Sequence, residues 1–297
     1  MKTICDEIRE KKALVADGGW GTLLMAAGMR PGECPELWNV SHPDVVRGIG
    51  EQYIAAGSDL ISTNSFGGSR CKLMQFGLEE RANELNEAAA ALSRQAAGPD
   101  KHVIASIGPT GKFLITGEIS EEELYETFKE QALALERGGA DACIIETFSA
   151  VDEAVTAVRA TKQNTSLEII CSFTYASVTD GAPRTMMGAT PAEMAQAVLA
   201  AGADILGANC SFGSEEMLAV VQALHAAAPA VPILVNPNAG QPVQTDAGVV
   251  YPETPEYMAG FAARFFEAGA SIIGGCCGTN PGHIRAIRTA VSHCIIR

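Results

Sequence analysis

Two adjacent cysteines, Cys276 and Cys277, lie near the end of the chain within the glycine-rich segment Gly274–Thr279. Neighbouring cysteines seldom bond to each other, because their Cα atoms are closer together than an unstrained disulfide allows. The flanking glycines let the backbone turn sharply, so both sulfurs can point at one centre. Converging thiolates favour a soft divalent metal, most often zinc. The pair predicts part of a zinc site, and a third ligand must come from elsewhere.

A pattern that recurs four times predicts the fold that positions this ligand. Small residues precede a glycine, a small or acidic residue follows it, and an apolar run comes next; the glycines are Gly57, Gly139, Gly202 and Gly269. Such a glycine ends a helix in the left-handed conformation, and the apolar run is typical of a buried strand. Each interval holds about two β-α units at ~30 residues per unit.

Further strands and helices are predicted between the repeats. The strands are Ala13–Asp17, Val103–Ile107, Glu168–Phe173 and Pro232–Asn236, and the helices are Glu79–Ala97, Glu121–Arg137, Ala192–Ala201, Glu215–Ala227 and Glu256–Ala268. Alternation of eight strands with helices predicts an α/β fold, a (β/α)₈ TIM barrel forming a single domain over residues 1–297. A doubly wound open sheet is the alternative, but no glycine-rich dinucleotide-binding sequence follows the first strand.

The barrel prediction brings distant cysteines together, because active sites of such barrels lie at the carboxyl ends of the strands. Cys210 ends the sixth strand and the Cys276–Cys277 pair ends the eighth, two strands away around the barrel. Three thiolates leave a fourth metal position open, which is the mark of a catalytic zinc. Such a metal is a poor Lewis acid for water, but it would hold a substrate thiol as thiolate, the form that accepts an alkyl group. The alternative for each cysteine is a small buried core residue.

Residues at other strand ends suggest a grip for an amino acid. The backbone N–H groups of Gly18 and Gly19 can bind a carboxylate, and Asp17 and Glu146 can accept hydrogen bonds from an ammonium group. An ion pair inside the barrel is the alternative for Glu146, and an ordinary loop is the alternative for the two glycines. The remaining cysteines (Cys5, Cys34, Cys71, Cys143, Cys171 and Cys294) are predicted to be packing or surface residues.

Composition and charge exclude several classes of partner. The 297 residues are 47% hydrophobic with a formal net charge of -14, which argues against nucleic acid or an anionic membrane as partner. The charged N-terminus does not resemble a signal peptide, and no apolar run approaches the ~20 residues that span a bilayer. An odd number of cysteines, nine, fits reduced thiols and a cytoplasmic location.

In its motifs and their order, the chain resembles the zinc-dependent homocysteine S-methyltransferase family. That family includes the homocysteine-binding module of cobalamin-dependent methionine synthase and betaine–homocysteine methyltransferase. The resemblance covers essentially the whole chain, from Asp17-Gly18-Gly19 to Gly274–Thr279. The matching segments between them are Thr63–Gly67, Ile107–Gly111, Glu146–Phe148, Asn209–Ser211 and Pro237–Gly240.

The resemblance implies a (β/α)₈ barrel that transfers a methyl group to homocysteine to give methionine. It places zinc on Cys210, Cys276 and Cys277, with the homocysteine sulfur at the open position. It assigns substrate binding to Asp17, Gly18, Gly19, Glu146, Asn209 and Asn238, and Asn238 would also be an oxygen ligand of the substrate-free metal.

The methyl donor stays open between a corrinoid and a small molecule. Betaine enzymes carry Glu-Tyr-Phe where this chain has Glu146-Thr147-Phe148, and the missing tyrosine weakens the case for a quaternary ammonium donor. The wording is closer to the corrinoid-dependent enzymes, so the chain is either an excised module or a standalone enzyme with a separate corrinoid protein or small methyl donor. Trp20 either stacks on the donor or packs at the rim or in the core.

Two other functions are compatible with the sequence. One is demethylation of another methylated substrate in a corrinoid-dependent system. The other is a non-catalytic zinc-binding protein that docks on a corrinoid or folate protein. The predicted homocysteine grip favours methyl transfer to homocysteine over the first, and the open metal position argues against the second. An exposed apolar patch at the barrel mouth would favour the docking protein.

Overall fold

Eight parallel strands form a nearly closed barrel in the computed structural model, which describes residues 2–179, 182–245 and 248–295. The strands are β1 (Leu14–Val15), β2 (Leu60–Ser62), β3 (His102–Ile107), β4 (Ala142–Phe148), β5 (Glu168–Phe173), β6 (Ile205–Asn209), β7 (Ile233–Asn236) and β8 (Ile272–Ile273). Their hydrogen-bonded order is β1-β8-β7-β6-β5-β4-β3-β2. The Asp59 N–H, which donates to the Val15 carbonyl at 2.7 Å, joins β2 to β1. Each strand pairs with the strand that follows it in the sequence, and β8 pairs with β1. This order confirms the barrel prediction and excludes the doubly wound sheet.

One helix precedes the first strand, and the other helices follow the strands and pack around the outside of the barrel. They are α1 (Ile4–Lys11), α2 (Trp20–Ala26), α3 (Trp38–Ser41), α4 (Pro43–Ala56), α5 (Arg70–Leu73), α6 (Ala82–Ala97), α7 (Glu121–Arg137), α8 (Val151–Asn164), α9 (Pro191–Ala201), α10 (Ser214–Ala227), α11 (Pro255–Glu267) and α12 (Pro281–Ile295). The start of α9 is a capping box, in which Thr190 accepts from the Glu193 N–H and the Glu193 carboxylate accepts from the Thr190 N–H. None of the described helices is long and apolar enough to cross a membrane.

Several element boundaries differ from the predicted ones. The first strand is shorter than Ala13–Asp17, because the chain turns at the two glycines that follow Asp17. The helix predicted from Glu79 begins at Ala82, after a 3₁₀ turn over Glu79–Arg81. Two antiparallel hairpins were not predicted from the sequence. They lie in the loops after β5 and β7 and pair Ser177–Thr179 with Ala182–Arg184, and Val243–Thr245 with Gly248–Val250.

The acidic residue of the repeat holds the amino ends of the strands. Asp59, Asp141 and Asp204 each accept a hydrogen bond from a strand N–H, those of Val15, Val103 and Ile169 respectively. Each also pairs with a basic side chain: Arg288 and Lys101 for Asp59, Arg94 for Asp141 and Lys162 for Asp204. The repeat is therefore a structural device at the end of the barrel opposite the predicted site.

Helix α1 closes the amino end of the barrel. Its Ile4 and Ile8 belong to the same buried cluster as one or two apolar residues from each strand, such as Leu14, Ile144 and Leu234. The Glu168 carboxylate fixes the start of the helix by accepting from the N–H groups of Ile4 and Cys5, at 2.5 and 3.0 Å. Apolar side chains fill the barrel interior at its amino end. The site can therefore open only at the carboxyl end.

Candidate thiol and amino-acid site

Three cysteine sulfurs converge at the carboxyl ends of β6 and β8. The Sγ atoms of Cys210, Cys276 and Cys277 all lie within 4.8 Å of one another, and the Cys210 and Cys277 sulfurs are 3.9 Å apart. All three residues are partly buried. Among the described residues, this is the one group of three or more histidines, cysteines and acids close enough to hold a metal ion.

The loop after β7 holds the cysteines from between their two strands. The Cys210 N–H donates to the Asn236 carbonyl at 3.1 Å, and the Cys276 N–H donates to the Pro237 carbonyl at 2.8 Å. The Asn238 side-chain oxygen accepts from the Cys277 N–H at 3.2 Å. Asn238 therefore lies at the thiol cluster, where it fixes the backbone of the third cysteine.

The ends of β4 and β6 have an unusual backbone. Thr147, Cys210 and Ser211 have φ angles of 65°, 63° and 59°, a left-handed region that residues other than glycine rarely adopt. The Asn209 side chain stabilises the first of them, accepting from the Thr147 N–H at 3.0 Å and donating to its hydroxyl at 2.8 Å. Such strain persists where the surroundings impose it and is concentrated at functional sites.

The three thiols lie close enough to shift one another's pKa values. Hydrogen bonds from Cys276 and then Cys277 lower the pKa of Cys210. The hydrogen bond to Cys210 is in turn the largest cause that raises the pKa of Cys276 and of Cys277. The Cys210 thiolate is thus favoured at the expense of the thiolates of Cys276 and Cys277. Three sulfur atoms at one point are soft ligands, and their thiolate forms need a cation to balance their charge. Zinc meets both conditions.

Asp17 follows β1 and is buried at the barrel mouth. Its carboxylate accepts from the Ser62 N–H at 2.7 Å, the Ser62 hydroxyl at 3.0 Å and the Trp20 indole N–H at 2.7 Å. Burial nevertheless raises the pKa of Asp17 to about 6, because the hydrogen bonds only partly offset the loss of water.

Glu146 lies across the mouth, on β4. Its two oxygens accept from the Ser106 hydroxyl at 2.5 Å and from the Asn209 amide at 3.3 Å. Burial, and to a smaller extent the charge of Asp17, raises the pKa of Glu146 to about 7. Among the described residues no lysine, arginine or histidine pairs with either acid, so the ion pair considered for Glu146 is not formed.

The comparisons with known proteins agree with this geometry. Residues 14–291 match the family model described as homocysteine S-methyltransferase. The chain belongs to the homocysteine S-methyltransferase family. It is 33% identical to methionine synthase of Mycobacterium tuberculosis and 32% identical to that of Mycobacterium leprae, in each case over 97% of this chain. The chain spans about a quarter of the length of these relatives, since the matches cover 25% of each.

Solved structures show the same fold. The metallated form of the homocysteine methyltransferase MmuM from Escherichia coli superposes with a TM-score of 0.79 at 24% identity, over 96% of this chain and 98% of that one. Its apo form gives a TM-score of 0.73 at 22% identity, over 95% and 97% of the two chains. At these identities the likeness concerns the barrel alone.

The backbone N–H groups of Gly18 and Gly19, after β1, are not both available to bind a substrate carboxylate as expected. The Gly19 N–H donates to the Thr279 hydroxyl at 3.0 Å, so it is not free for a substrate carboxylate. A Cβ on Gly18 would lie 2.6 Å from that hydroxyl, and one on Gly19 would lie 2.7 Å from the Cys276 carbonyl. The glycines therefore let β1 approach the cysteine loop, and the Gly18 N–H remains as the candidate for substrate.

The structure also shows contributors that the sequence left open or did not single out. Trp20, for which the sequence left open a donor contact, a rim position and a core position, packs against the core and donates its indole N–H to Asp17. Ser106 and Ser172 hold Glu146 and Asn209 from neighbouring strands. Strand alternation could have found the serines, because both occupy interior positions at the level where polar residues begin.

Gly274→Ala should damage the site through close packing. A Cβ there would lie 2.6 Å from the Asn236 side-chain oxygen, 2.7 Å from the Asp17 carbonyl and 2.8 Å from the Ala16 Cβ, and the Asp17 backbone has little room to adjust. We expect a loss of on the order of 2 kcal/mol in the free energy of unfolding. Gly21→Ala in α2 is the control, because nothing lies within 4 Å of its added Cβ. Urea denaturation of both variants measures this, and equal stability of the two would contradict the packing argument.

Proposed function

We propose that this chain methylates the sulfur of homocysteine to give methionine, with zinc held by Cys210, Cys276 and Cys277. The convergence of the three sulfurs within 4.8 Å at the open end of the barrel carries the proposal. The family supports it, and so does the presence of two acids, Asp17 and Glu146, at the same end of the barrel.

The donor set fits zinc with one position left for substrate. Three sulfurs come from the protein, and among the described residues no histidine or carboxylate joins them within metal-ligand distance. Zinc bound there would supply the positive charge that keeps a substrate thiol ionised at neutral pH. The Asn238 side-chain oxygen, already beside Cys277, would be the fourth ligand before substrate arrives.

The carboxylates would hold the other end of the substrate. Asp17 and Glu146 have raised pKa values, and no described lysine, arginine or histidine pairs with them, so a positive charge is not supplied to them by the described residues. The α-ammonium group of an amino acid supplies it. Ser62, Ser106 and Asn209 fix the orientation of the two acids, so little reorganisation is needed when substrate binds.

The reaction itself needs no covalent bond to the protein. The proton of the homocysteine thiol is released when the sulfur binds. The sulfur then attacks the methyl carbon in line, a carbon–sulfur bond forms, and the bond from methyl to its carrier breaks with the electron pair leaving on the carrier. The protein holds the sulfur and the amino acid end at fixed positions, and it excludes water from the floor of the mouth.

Exposed apolar side chains around the mouth support a donor carried by another protein or domain. They lie on the loops that follow β2, β3, β5 and β7, and include Phe66, Ile115, Met186 and Val249, which are between 42 and 80% exposed. A surface of this kind fits a macromolecular partner better than a small methyl donor. We therefore propose a methyl-corrinoid protein as donor.

The same apolar rim favours the second candidate, a zinc-binding docking protein without activity. The test is methionine formation from L-homocysteine with methylcob(III)alamin, a sulfonium compound or a quaternary ammonium compound as donor. We expect methionine with the corrinoid. Methionine from a small donor alone would refute the corrinoid assignment. Zinc and homocysteine binding without turnover from any donor would favour the docking protein. Transfer of a methyl group from another methylated substrate to the corrinoid, without methionine formation, would favour the demethylase.

A further inference from the structure

The ring of Tyr251 lies over the loop that carries the paired cysteines. Tyr251 directly follows the hairpin of Val243–Thr245 and Gly248–Val250, in the loop after β7, and it is half-buried. Its ring packs on Gly278, the residue after the third cysteine. A Cβ on Gly278 would lie 2.2 Å from the Tyr251 Cγ and 2.6 Å from its Cδ2. Only glycine at this position therefore leaves room for the ring.

Hydrogen bonds fix the chain after Tyr251 to the cysteine loop. Two residues on, the Glu253 N–H donates to the Ala239 carbonyl at 2.9 Å, and the Ala239 N–H donates to the Cys277 carbonyl at 2.9 Å. The Glu253 carboxylate accepts from the N–H and the hydroxyl of Ser214, at the start of α10. The backbone thus gives the Tyr251 ring a fixed place beside the third cysteine.

The hydroxyl of Tyr251 interacts with the sulfur of Cys277. The hydrogen bond to Cys210 is the main cause that raises the pKa of Cys277 to about 11, and a hydrogen bond from the Tyr251 hydroxyl opposes it. Burial, and next the charge of Cys277, raises the pKa of Tyr251 to about 12. The phenol therefore keeps its proton at neutral pH and is a hydrogen-bond donor toward the sulfur.

Neutral donors beside the sulfurs matter because the loaded site would carry excess negative charge. Three thiolates on divalent zinc leave one negative charge, and a substrate thiolate would raise it to two. Hydrogen bonds from the other two thiols, and then from the Ser211 N–H and the Asn238 side chain, lower the pKa of Cys210. Tyr251 is the corresponding neutral donor for Cys277.

We propose that Tyr251 is a positioning residue of the zinc site, with its hydroxyl donating a hydrogen bond to the Cys277 sulfur when that sulfur binds the metal. This inference rests on the proposed function. A hydrogen bond to a metal ligand fixes the orientation of the ligand and withdraws part of its charge. Loss of such a partner typically costs about 10–100-fold in metal affinity or activity.

The experiment measures metal binding in the absence of homocysteine, by zinc competition with a chelating dye and by the absorption spectrum of the cobalt(II) form. Tyr251→Phe keeps the ring on Gly278 and removes the hydroxyl, so we expect about a tenfold loss of zinc affinity. The sulfur-to-cobalt charge-transfer band should move to longer wavelength, because a sulfur that loses a hydrogen bond gives up an electron more easily. Tyr257→Phe, at an exposed position of α11, is the control and should change neither quantity.

Tyr251→Leu separates the hydroxyl from the packing of the ring, and it should lose at least as much zinc affinity as Tyr251→Phe. Wild-type affinity and spectrum in Tyr251→Phe would overturn the inference, and a loss confined to Tyr251→Leu would assign the effect to packing. Weaker zinc binding in Tyr251→Phe with an unchanged cobalt spectrum would also show a merely structural role. A wild-type protein that binds no zinc would refute the proposed function together with this inference, whereas zinc binding without homocysteine binding would refute the function alone.

Discussion

Replacing Cys276 by serine is expected to remove zinc from the protein and to abolish methyl transfer. A serine hydroxyl is not deprotonated at neutral pH and is a poor ligand for a metal that the other two sulfurs bind as thiolates. We expect zinc content to fall from one equivalent to below about 0.1, and turnover to fall by at least about a thousandfold, because an unbound thiol is mostly protonated. Metal analysis and methionine formation measure the two effects.

Cys71→Ser is the matched control for this substitution. Cys71 is also partly buried, but its sulfur lies beside the Thr127 hydroxyl at 3.7 Å, away from the barrel mouth. A serine there can keep that contact, so zinc content and activity should not change. Full zinc occupancy and turnover in Cys276→Ser would show that the three-sulfur cluster is not the metal site.

Glu146→Gln is expected to weaken homocysteine binding about a hundredfold while stabilising the substrate-free protein at pH 8. The carboxylate loses its role as acceptor for the ammonium group, which explains the weaker binding. Its folded pKa of about 7 lies above the ordinary value of 4.5, so ionisation opposes folding as the pH rises through 7. The neutral amide removes a cost on the order of 1–3 kcal/mol at pH 8, and this gain should vanish near pH 4, where the acid is protonated in both states.

Glu153→Gln is the control for Glu146→Gln. Glu153 is another buried acid whose pKa burial raises, but its carboxylate accepts from the N–H and hydroxyl of Thr110. It should share the stabilisation at pH 8 and leave homocysteine binding unchanged. Denaturation at pH 4 and pH 8, together with calorimetric titration, separates the two effects. Loss of stability in Glu146→Gln at pH 8 would contradict the assignment of an unpaired acid.

The repeated pattern around Gly57, Gly139, Gly202 and Gly269 was enough to predict the barrel. The reason is physical, because the glycine ends a helix and the apolar run can be buried only as a strand. The same order explains why cysteines more than sixty residues apart meet: β6 and β8 flank β7. The extent of the single domain and the cytoplasmic location stay predictions.

Details that depend on packing could not be predicted from the sequence. No glycine in the sequence signals the left-handed backbone of Cys210. The hydrogen bond to the Asn236 carbonyl and the loop around it impose this conformation, and both form only in the folded barrel. The Gly19 N–H was expected to face substrate, but it donates to Thr279, a residue that only the closed barrel brings near. The hairpin in the loop after β7 was also missed, since its residues are exposed and lack a buried face.

Side-chain register explains why Asn236 attracts notice only in the structure. The sequence places two asparagines, Asn236 and Asn238, at the end of β7, and Asn238 stands out by the resemblance. In the barrel, Asn238 accepts from Cys277, whereas the Asn236 oxygen has no donor among the described residues. Only the folded barrel, therefore, distinguishes the two asparagines.

X-ray absorption at the zinc edge, with and without saturating L-homocysteine, tests the metal-held thiolate most directly. Zinc–sulfur bonds of about 2.3 Å differ clearly from zinc–oxygen bonds of about 2.0–2.2 Å. We predict a first shell of three sulfurs and one oxygen that becomes four sulfurs when homocysteine binds. A shell that keeps its oxygen at saturating homocysteine would contradict direct binding of the substrate sulfur and, with it, the proposed reaction.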